Sequence, residues 1–512
     1  MKPAGTILAV PHLHVRPQSV ASRTGGEWAL ADADGNVRLV IWPAADRDDV
    51  LRDFEGELGE HDGRRLLVGP ASGRNAAGLR AHLPWLAPRP LGLCTSFGFG
   101  DRLGLATPGH VRALKAAGGA IIPVFAQQSA RELTRTARTA DDVLDAATWG
   151  AFAEGWTGPQ GADADHLKTT ADIDAYLAAG FTTFTIDPGD HIGHLDPDAT
   201  SAGLRLRLDA LPWTAFEETP AAMLARYAGR AFDIEGRLIQ LNEEILVRAA
   251  IRYARAVVHV ARMSRHLVAA AGARSVELEV SVDESDTPTS PAEHVFVATE
   301  LRRLGVAWTS FAPRLVGRFE KGVDYIGDAA AFEADWMVHA AIARVLGPYK
   351  LSLHSGSDKF SLYNAVAAHT RGVVHVKTAG TSWLEALRTL AAADAPLFRE
   401  LYGFARERYD ADRASYHVSA RADAAPDPAT LPDEQLPALL DDFHARQVLH
   451  VTFGSVLTAV DRAGTGRFSS RIMTGLSAHA EAYAANLETH FLRHLTPFAA
   501  APARRAPLPV SP

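Results

Sequence analysis

The chain has 512 residues, of which 47% are hydrophobic and 22% charged, and its formal net charge is -8. This composition predicts a globular protein of one large or two to three smaller domains, and the charge gives no argument for binding nucleic acid or an anionic membrane. The lone cysteine, Cys94, excludes an internal disulfide. The first residues lack a signal-peptide pattern and no apolar run is long enough to span a membrane, so we expect a cytoplasmic protein.

Residues 1–90 predict a small β-rich N-terminal subdomain. Glu27–Ala31 and Val37–Trp42 are short, largely apolar runs, and the Asp34-Gly35 pair between them is typical of a hairpin turn. Leu66–Gly69 predicts a further strand. The proline-containing stretch that follows predicts a stiff connector to the next domain.

Eight short apolar runs follow, most of them separated by helix-like stretches, and this alternation is typical of parallel βα units. Eight units predict a closed (β/α)8 barrel over about residues 91–420. The runs are Leu91–Phe97, Ala120–Phe125, Gly161–Asp165, Phe181–Ile186, Ser275–Ser281, Val306–Phe311, Tyr349–His354 and Val373–Val376. The third is the weakest as a strand.

Longer segments surround these runs. An insertion near 195–245 follows the fourth run, and a connection of this length is often a lid or binding element. Residues 243–271 carry apolar residues at helical spacing and predict a long helix. Thr289 or Ser290 is expected to cap a helix whose first turn contains Pro291.

The last part of the chain, 421–512, predicts a helical C-terminal extension. Residues 421–437 are rich in Ala, Asp and Pro and are typical of an exposed linker. Residues 439–495 read as mostly helical. The Ala/Pro-rich tail from Ala499 onward is expected to be mobile.

Polar residues gather where the predicted strands end. They are Asp101, Gln127, Asp165, His166, Asp187, His191, Asp283, Arg314, His354 and Lys377. A (β/α)8 barrel carries its chemistry at this rim, and a purely structural barrel has no need for so many polar groups there. The pattern therefore predicts a functional site at the C-terminal ends of the strands.

The third and fourth runs each admit two readings. Asp165 could be a general base beside a metal ligand, His166, or it could cap the next helix while His166 is a surface histidine. After the fourth run, Asp187-Pro188-Gly189-Asp190-His191 is a good turn sequence. Turn chemistry does not require His191, so Asp187 and His191 remain candidates for function.

In the fifth run apolar and polar residues alternate. A period of two places Glu277 and Glu279 on one face, and in a barrel this face points inward. Buried acids are costly unless they are paired, protonated or bound to metal. The alternative is an edge strand with a solvated face.

The sixth and seventh runs supply further candidates. Arg314, Arg318 and Lys321 lie near Glu320 in sequence and could hold a substrate carboxylate, while Glu320 could bind a cation. A solvated loop with internal ion pairs explains the same residues. Together with His354, at the tip of the seventh run, His166 and Glu320 form a candidate set of two histidines and one carboxylate, which suits Zn, Mn, Fe, Co or Ni.

Motifs for other chemistries are weak or missing. The chain has no H-E-x-x-H metal motif and no phosphate-binding P-loop. Gly98-Phe99-Gly100 resembles the start of a dinucleotide fingerprint, but Gly104 comes one position late.

Several segments resemble the tagaturonate/fructuronate epimerase family over about residues 90–400. They are Gly98–His110, Phe125–Ser129, Ala164–Thr169, Asp187–His191 and Leu353–Lys359. The resemblance implies a metal-dependent sugar-acid epimerase of bacterial hexuronate catabolism. Related enzymes act on the neutral ketoses tagatose and fructose. A metal-dependent aldolase on the same barrel and an inactive sugar-acid-binding protein are the alternatives.

The resemblance also implies roles for individual residues. Asp165 would be the proton acceptor, and His166, Glu320 and His354 would bind the divalent metal. A glutamate of the fifth strand would be the proton donor, and we choose Glu279 over Glu277 because it lies nearer the C-terminal rim. Residues expected to bind substrate are Asp101, Gln127, Asp187, His191, Arg314, Lys359 and Lys377.

The expected chemistry is a retro-aldol step. The carbinol carbon that changes configuration is β to the ketone, so enolisation alone cannot invert it. A base removes the hydroxyl proton, the carbon–carbon bond breaks with help from a metal, and the aldehyde rotates before the bond forms again. A second acid then protonates the new alkoxide. A uronate substrate also needs a cationic clamp, for which Arg314, Arg318, Lys359 and Lys377 are candidates.

Overall fold

A computed structural model describes residues 12–33, 35–61 and 63–499. Its N-terminal part is a six-stranded antiparallel sheet, which confirms the predicted β-rich region. The turn residue Asp34, residues 1–11 and the tail from residue 500 lie outside the described residues. The strands are β1 His14–Val15, β2 Ala21–Arg23, β3 Gly26–Ala33, β4 Asn36–Pro43, β5 Glu57–His61 and β6 Arg64–Pro70.

Alternation along β3 and β4 gives this sheet two apolar faces. Trp28 and Ile41 point to the main core of the protein, whereas Ala29 and Trp42 form a small separate cluster on the other face. A helix that the sequence did not predict, α1 Gly73–His82, follows the sheet and begins with a Ser72 N-cap.

Eight parallel strands then close into a barrel, and each predicted run overlaps one of them. Neighbouring strands follow chain order, and the last strand pairs with the first. The strands are β7 Ser96–Gly100, β8 Ile122–Ser129, β9 Gly161–Leu167, β10 Thr183–Ile186, β13 Glu277–Ser281, β14 Ser310–Ala312, β15 Lys350–Leu353 and β16 Val374–Thr378. The weakest predicted run, the third, is a complete strand.

Helices surround the barrel. They are α2 Thr107–Ala117, α3 Ala130–Thr136, α4 Ala140–Ala153, α5 Thr170–Ala179, α6 Ser201–Asp209, α7 Pro220–Tyr227, α8 Glu243–Ala271, α9 Pro291–Arg303, α10 Ala329–Val345, α11 Tyr363–Thr370 and α12 Thr381–Ala393. The long helix α8 has the predicted bounds. Ser290 caps α9 in a capping box with Glu293, and Pro291 occupies its first turn.

The insertion near 195–245 contains α6, α7 and a hairpin of β11 Arg230–Ile234 and β12 Arg237–Leu241. Leu208 and Met223 are fully buried, and α6 and α7 pack against α8. No residue of this segment lines the cavity described below. The structure therefore gives the insertion a packing role and does not support the expected lid.

The C-terminal helices are α13 Ala395–Asp412, α14 Phe443–Val451, α15 Phe453–Thr458, α16 Ser469–Ala478 and α17 Ala480–Ala499. The segment 421–437, which we expected to be an exposed linker, leads into a 3-10 helix with Leu436 fully buried. α17 packs against α2 and α12 of the barrel. The domain limits at residues 90 and 420 stay predictions. Among the described residues, no helix is long and apolar enough to cross a membrane.

Candidate active site

A cavity of about 450 Å3 opens at the C-terminal ends of the barrel strands. Most of the predicted site residues come together there, although they lie on separate βα units. Those lining the cavity are Gln127, Asp165, His166, Asp283, Arg314, Arg318, Glu320, His354 and Lys377. The cavity thus lies at the rim where a barrel of this type performs its chemistry.

Asp165, His166 and His354 form the tightest group in this cavity. Each offers one ligand atom, and these atoms all lie within 4.8 Å of one another. Adjacent residues of a regular strand point to opposite faces, but His166 has a φ of 51° in the left-handed region. The pairing of β9 with β10 also shifts register here. This irregularity of the strand brings both neighbouring side chains to one cavity.

Carboxylates surround the two imidazoles. His166 Nδ1 lies 3.3 Å from Asp187, and His354 contacts Glu279 at 2.7 Å and Asp283 at 3.3 Å. Burial opposes the charged imidazoles, but the acids outweigh it and raise the pKa of His166 to about 10 and that of His354 to about 9. A site that stabilises positive charge so strongly, with nitrogen and oxygen donors facing each other, fits a divalent cation.

Lys377 connects the acids inside the barrel. Its Nζ lies 2.7 Å from both Asp163 and Asp165 and 2.8 Å from Glu279. Burial disfavours the ammonium, yet these carboxylates raise the pKa of Lys377 well above its usual value. We predicted Lys377 to bind substrate, and that role stays a prediction for an amine that already contacts three carboxylates.

The two acids expected to transfer protons are held as anions. Burial raises the pKa of Asp165, but Lys377, His166 and His354 outweigh it and lower that pKa overall. Glu279 is also buried, and Lys377 and His354 bring its pKa well below the usual range.

The inward orientation of the fifth-strand acids is confirmed. Glu279 accepts hydrogen bonds from Ser310 and Thr185 in addition to its contacts with His354 and Lys377. Glu277 lies two residues earlier, where the backbone N–H of Gly92 and the Thr183 hydroxyl donate to it. Only Glu279 is in contact with the residues of the cavity.

Asp101, one of the predicted substrate-binding residues, is hydrogen-bonded to the loop that follows β7. Its carboxylate accepts hydrogen bonds from the backbone N–H groups of Leu103, Gly104 and Ala106. His191 stacks on His259 with ring centroids 4.2 Å apart. Neither Asp101 nor His191 lines the cavity.

The Lys359 ammonium donates to the backbone carbonyls of Glu320, Val323 and Ser357. Burial lowers the pKa of this lysine to about 8. Lys359 does not line the cavity either. Its contacts tie the loop after β14 to the loop after β15, and its predicted role toward substrate remains a prediction.

Glu320 lines the cavity but is not among the three residues of the tight group. Its Oε2 accepts hydrogen bonds from the backbone and hydroxyl of Ser419 and from Gln447. The structure therefore leaves Glu320 as a predicted ligand whose carboxylate is held by Ser419 and Gln447.

The glycines of Gly98-Phe99-Gly100 are explained by close packing within the barrel. A Cβ at Gly98 would lie 2.3 Å from the side chain of Gln127, and one at Gly100 would lie 2.7 Å from the carbonyl of Thr378. The absence of a Cβ at Gly98 therefore lets the side chain of Gln127 pack directly against β7.

Some cavity residues were not among the predicted site residues. They are Arg102, Arg131, Glu132, Glu284, Tyr416 and His417. Arg131 and Glu132 follow directly after β8, so the strand-end rule could have found them. Tyr416 and His417 come from the segment after α13, and no local pattern connects them with the barrel rim.

Comparison with known proteins identifies the family. The family model for tagaturonate epimerase matches residues 18–498. The tagaturonate/fructuronate epimerase of Thermotoga maritima is 43% identical over 417 residues, which cover 81% of this chain and 83% of that protein. A glycerol-complexed crystal structure of fructuronate-tagaturonate epimerase from Cohnella laeviribosi has 37% identity and a TM-score of 0.88, covering 95% of this chain and 96% of that one. The chain belongs to the tagaturonate epimerase family.

Proposed function

We propose that this protein interconverts tagaturonate and fructuronate by retro-aldol and aldol chemistry that requires a divalent metal. The observation that carries the proposal is the grouping of Asp165, His166 and His354 beside Glu279 and Lys377 at the barrel rim. The family, whose relatives are named for this reaction, supports the choice of substrate. We place the reaction in the cytoplasm, as expected from the sequence.

His166 and His354 would hold the metal, with Glu320 as a further predicted ligand. The chemistry that a divalent cation would supply is Lewis-acid stabilisation of the negative charge that develops as the carbon–carbon bond breaks. Asp187 orients His166, and Asp283 orients His354, through contacts to ring nitrogens. Acids that contact ligating histidines in this way fix the ring orientation.

Asp165 and Glu279 would perform the proton transfers. Asp165 is anionic because of Lys377 and the two histidines, so it can accept the proton of the substrate hydroxyl. Glu279, an anion in the free protein, would return a proton to the new alkoxide after receiving it from the Lys377 ammonium. Lys377 would recover its proton from Asp165, which took one from the substrate hydroxyl, so the cycle neither gains nor loses a proton.

The proposal is tested by incubating metal-loaded protein with tagaturonate and following fructuronate by NMR. Chelation should abolish conversion, and adding back Mn, Co, Ni or Zn should restore it. His354→Ala should lose metal as well as turnover. Full activity after exhaustive chelation, with metal content measured, would contradict the metal requirement, and the absence of fructuronate would contradict the function.

A further inference from the structure

The cations of the active-site cavity differ in whether an acid neutralises them. Arg102 pairs with Glu132 at 2.9 Å and Arg131 pairs with Glu284 at 2.8 Å. Lys377 contacts three carboxylates, as described above. These charges are compensated within the protein and are poorly suited to bind a further anion.

Arg314 lines the same cavity and forms no ion pair with any acid of the described residues. Its Nε is buried and has no hydrogen-bond partner among the residues that the structure describes. The backbone of Arg314 is held by two hydrogen bonds. Its carbonyl accepts from the backbone N–H of Thr289 at 2.8 Å, and its N–H donates to Thr289 Oγ1 at 3.1 Å. The guanidinium is therefore attached to a well-held backbone, and its Nε–H is free to donate a hydrogen bond to a ligand.

Lys321 is the second cation of this kind. Its Nζ donates to Ser355 Oγ at 2.7 Å, and no described carboxylate forms an ion pair with it. An ammonium has three donors, so this contact leaves others for a ligand. Ser355 directly follows the proposed metal ligand His354. The hydrogen bond from Lys321 to Ser355 therefore places the ammonium next to the proposed metal site.

We propose that Arg314 and Lys321 together bind the carboxylate of the sugar-acid substrate and give the enzyme its preference for a uronate over a neutral ketose. This inference rests on the proposed function. Unneutralised cations in a partly buried cavity are unfavourable in the free protein. A bound carboxylate removes that cost, while a hydroxymethyl group at the same place leaves it.

Three variants test the pair. Arg314→Gln and Lys321→Met each remove one charge and keep most of the side-chain volume, and Arg237→Gln is the matched control. Arg237 is exposed on β12 and does not line the cavity. KM for tagaturonate and for tagatose is measured for each variant, and if tagatose is not turned over its inhibition constant replaces KM.

We expect Arg314→Gln and Lys321→Met each to raise KM for tagaturonate about 10- to 100-fold, as for loss of a charged hydrogen bond. The constants for tagatose should change by less than about threefold in both variants, an effect well below one such bond. Arg237→Gln should leave the constants for both substrates near wild type. Lys321→Arg and Arg314→Lys, which keep the charge, should recover most of the affinity and serve if the neutral variants fold poorly.

The outcomes separate the two proposals. A wild-type enzyme that makes no fructuronate overturns the proposed function. A wild-type enzyme that does make it, with variants whose tagaturonate KM is unchanged, overturns only the assignment of Arg314 and Lys321. Equal losses for tagaturonate and tagatose also overturn the assignment, because a structural role does not distinguish the two substrates.

Discussion

Lys377 has a side chain that balances several negative charges inside the barrel. Replacing it by Met leaves Asp163, Asp165 and Glu279 without their shared cation in a buried site. Breaking a buried ion pair by removing one partner typically costs about 3–5 kcal/mol. We expect Lys377→Met to lower the free energy of unfolding by an amount in this range, measured by urea denaturation at pH 7.

Lys115→Met provides the control for this measurement, because Lys115 is exposed and donates only to a backbone carbonyl. Its effect should stay within about 0.5 kcal/mol, as for surface substitutions. If both variants were equally stable, the charge balance described for the barrel interior would be wrong.

The two proton-transfer residues give a kinetic prediction. Asp165→Asn and Glu279→Gln keep the size of each side chain and remove its ability to exchange a proton. Each should lower kcat by roughly 10²-fold or more, as expected for positioned acid–base groups. Steady-state rates are measured together with bound metal, which should stay near the wild-type amount.

Glu277→Gln is the matched control on the same strand, because Glu277 contacts Gly92 and Thr183 away from the cavity. If this variant were inactive and Glu279→Gln were active, the choice between the two glutamates would be reversed.

The raised pKa values of His166 and His354 predict how metal affinity depends on pH. With values of about 10 and 9, both imidazoles carry protons at pH 7 in the metal-free protein. A metal must displace these protons, so its affinity should rise with pH up to about 10, and at pH 7 binding should release about two protons. Calorimetry in buffers of different ionisation enthalpy measures this release. Affinity that is constant between pH 6 and 8 would rule out the described charge state.

Among the helices, α9 allows a direct test of how much an N-cap contributes to the stability of this protein. Its Ser290 capping box holds the end of the loop that carries Asp283 and Glu284 to the cavity. Ser290→Ala should lower the free energy of unfolding by about 1 kcal/mol, as for loss of an N-cap. Ser470→Ala, on the exposed face of α16, should change it by less than about 0.5 kcal/mol. Urea denaturation compares the two, and equal values would show that the cap contributes nothing.

The existence and order of the barrel strands can be predicted from the sequence, because each strand belongs to a short, largely apolar run. The long helix α8 follows from its periodicity. Helix α1 and the helices of the insertion were not predicted. Packing of residues such as Leu208 and Met223 against distant elements stabilises them, and local periodicity does not report such contacts.

For the whole molecule, barrel closure accounts for what the sequence could and could not reveal about the site. The strand-end rule places Asp165 and Lys377 at one rim although 212 residues separate them. The rule cannot show that their side chains meet, since this depends on register and strand tilt. Tyr416 and His417 reach the cavity from the segment after α13, which local sequence does not place at the rim.

The central claim is that this protein inverts one carbinol centre of tagaturonate by breaking and reforming a carbon–carbon bond. The most direct test is proton NMR of tagaturonate incubated with the metal-loaded protein in D2O. The account predicts that fructuronate forms and that the inverted carbon keeps its original hydrogen, because that hydrogen stays on the aldehyde throughout. Deuterium at that carbon, or no fructuronate at all, would contradict it.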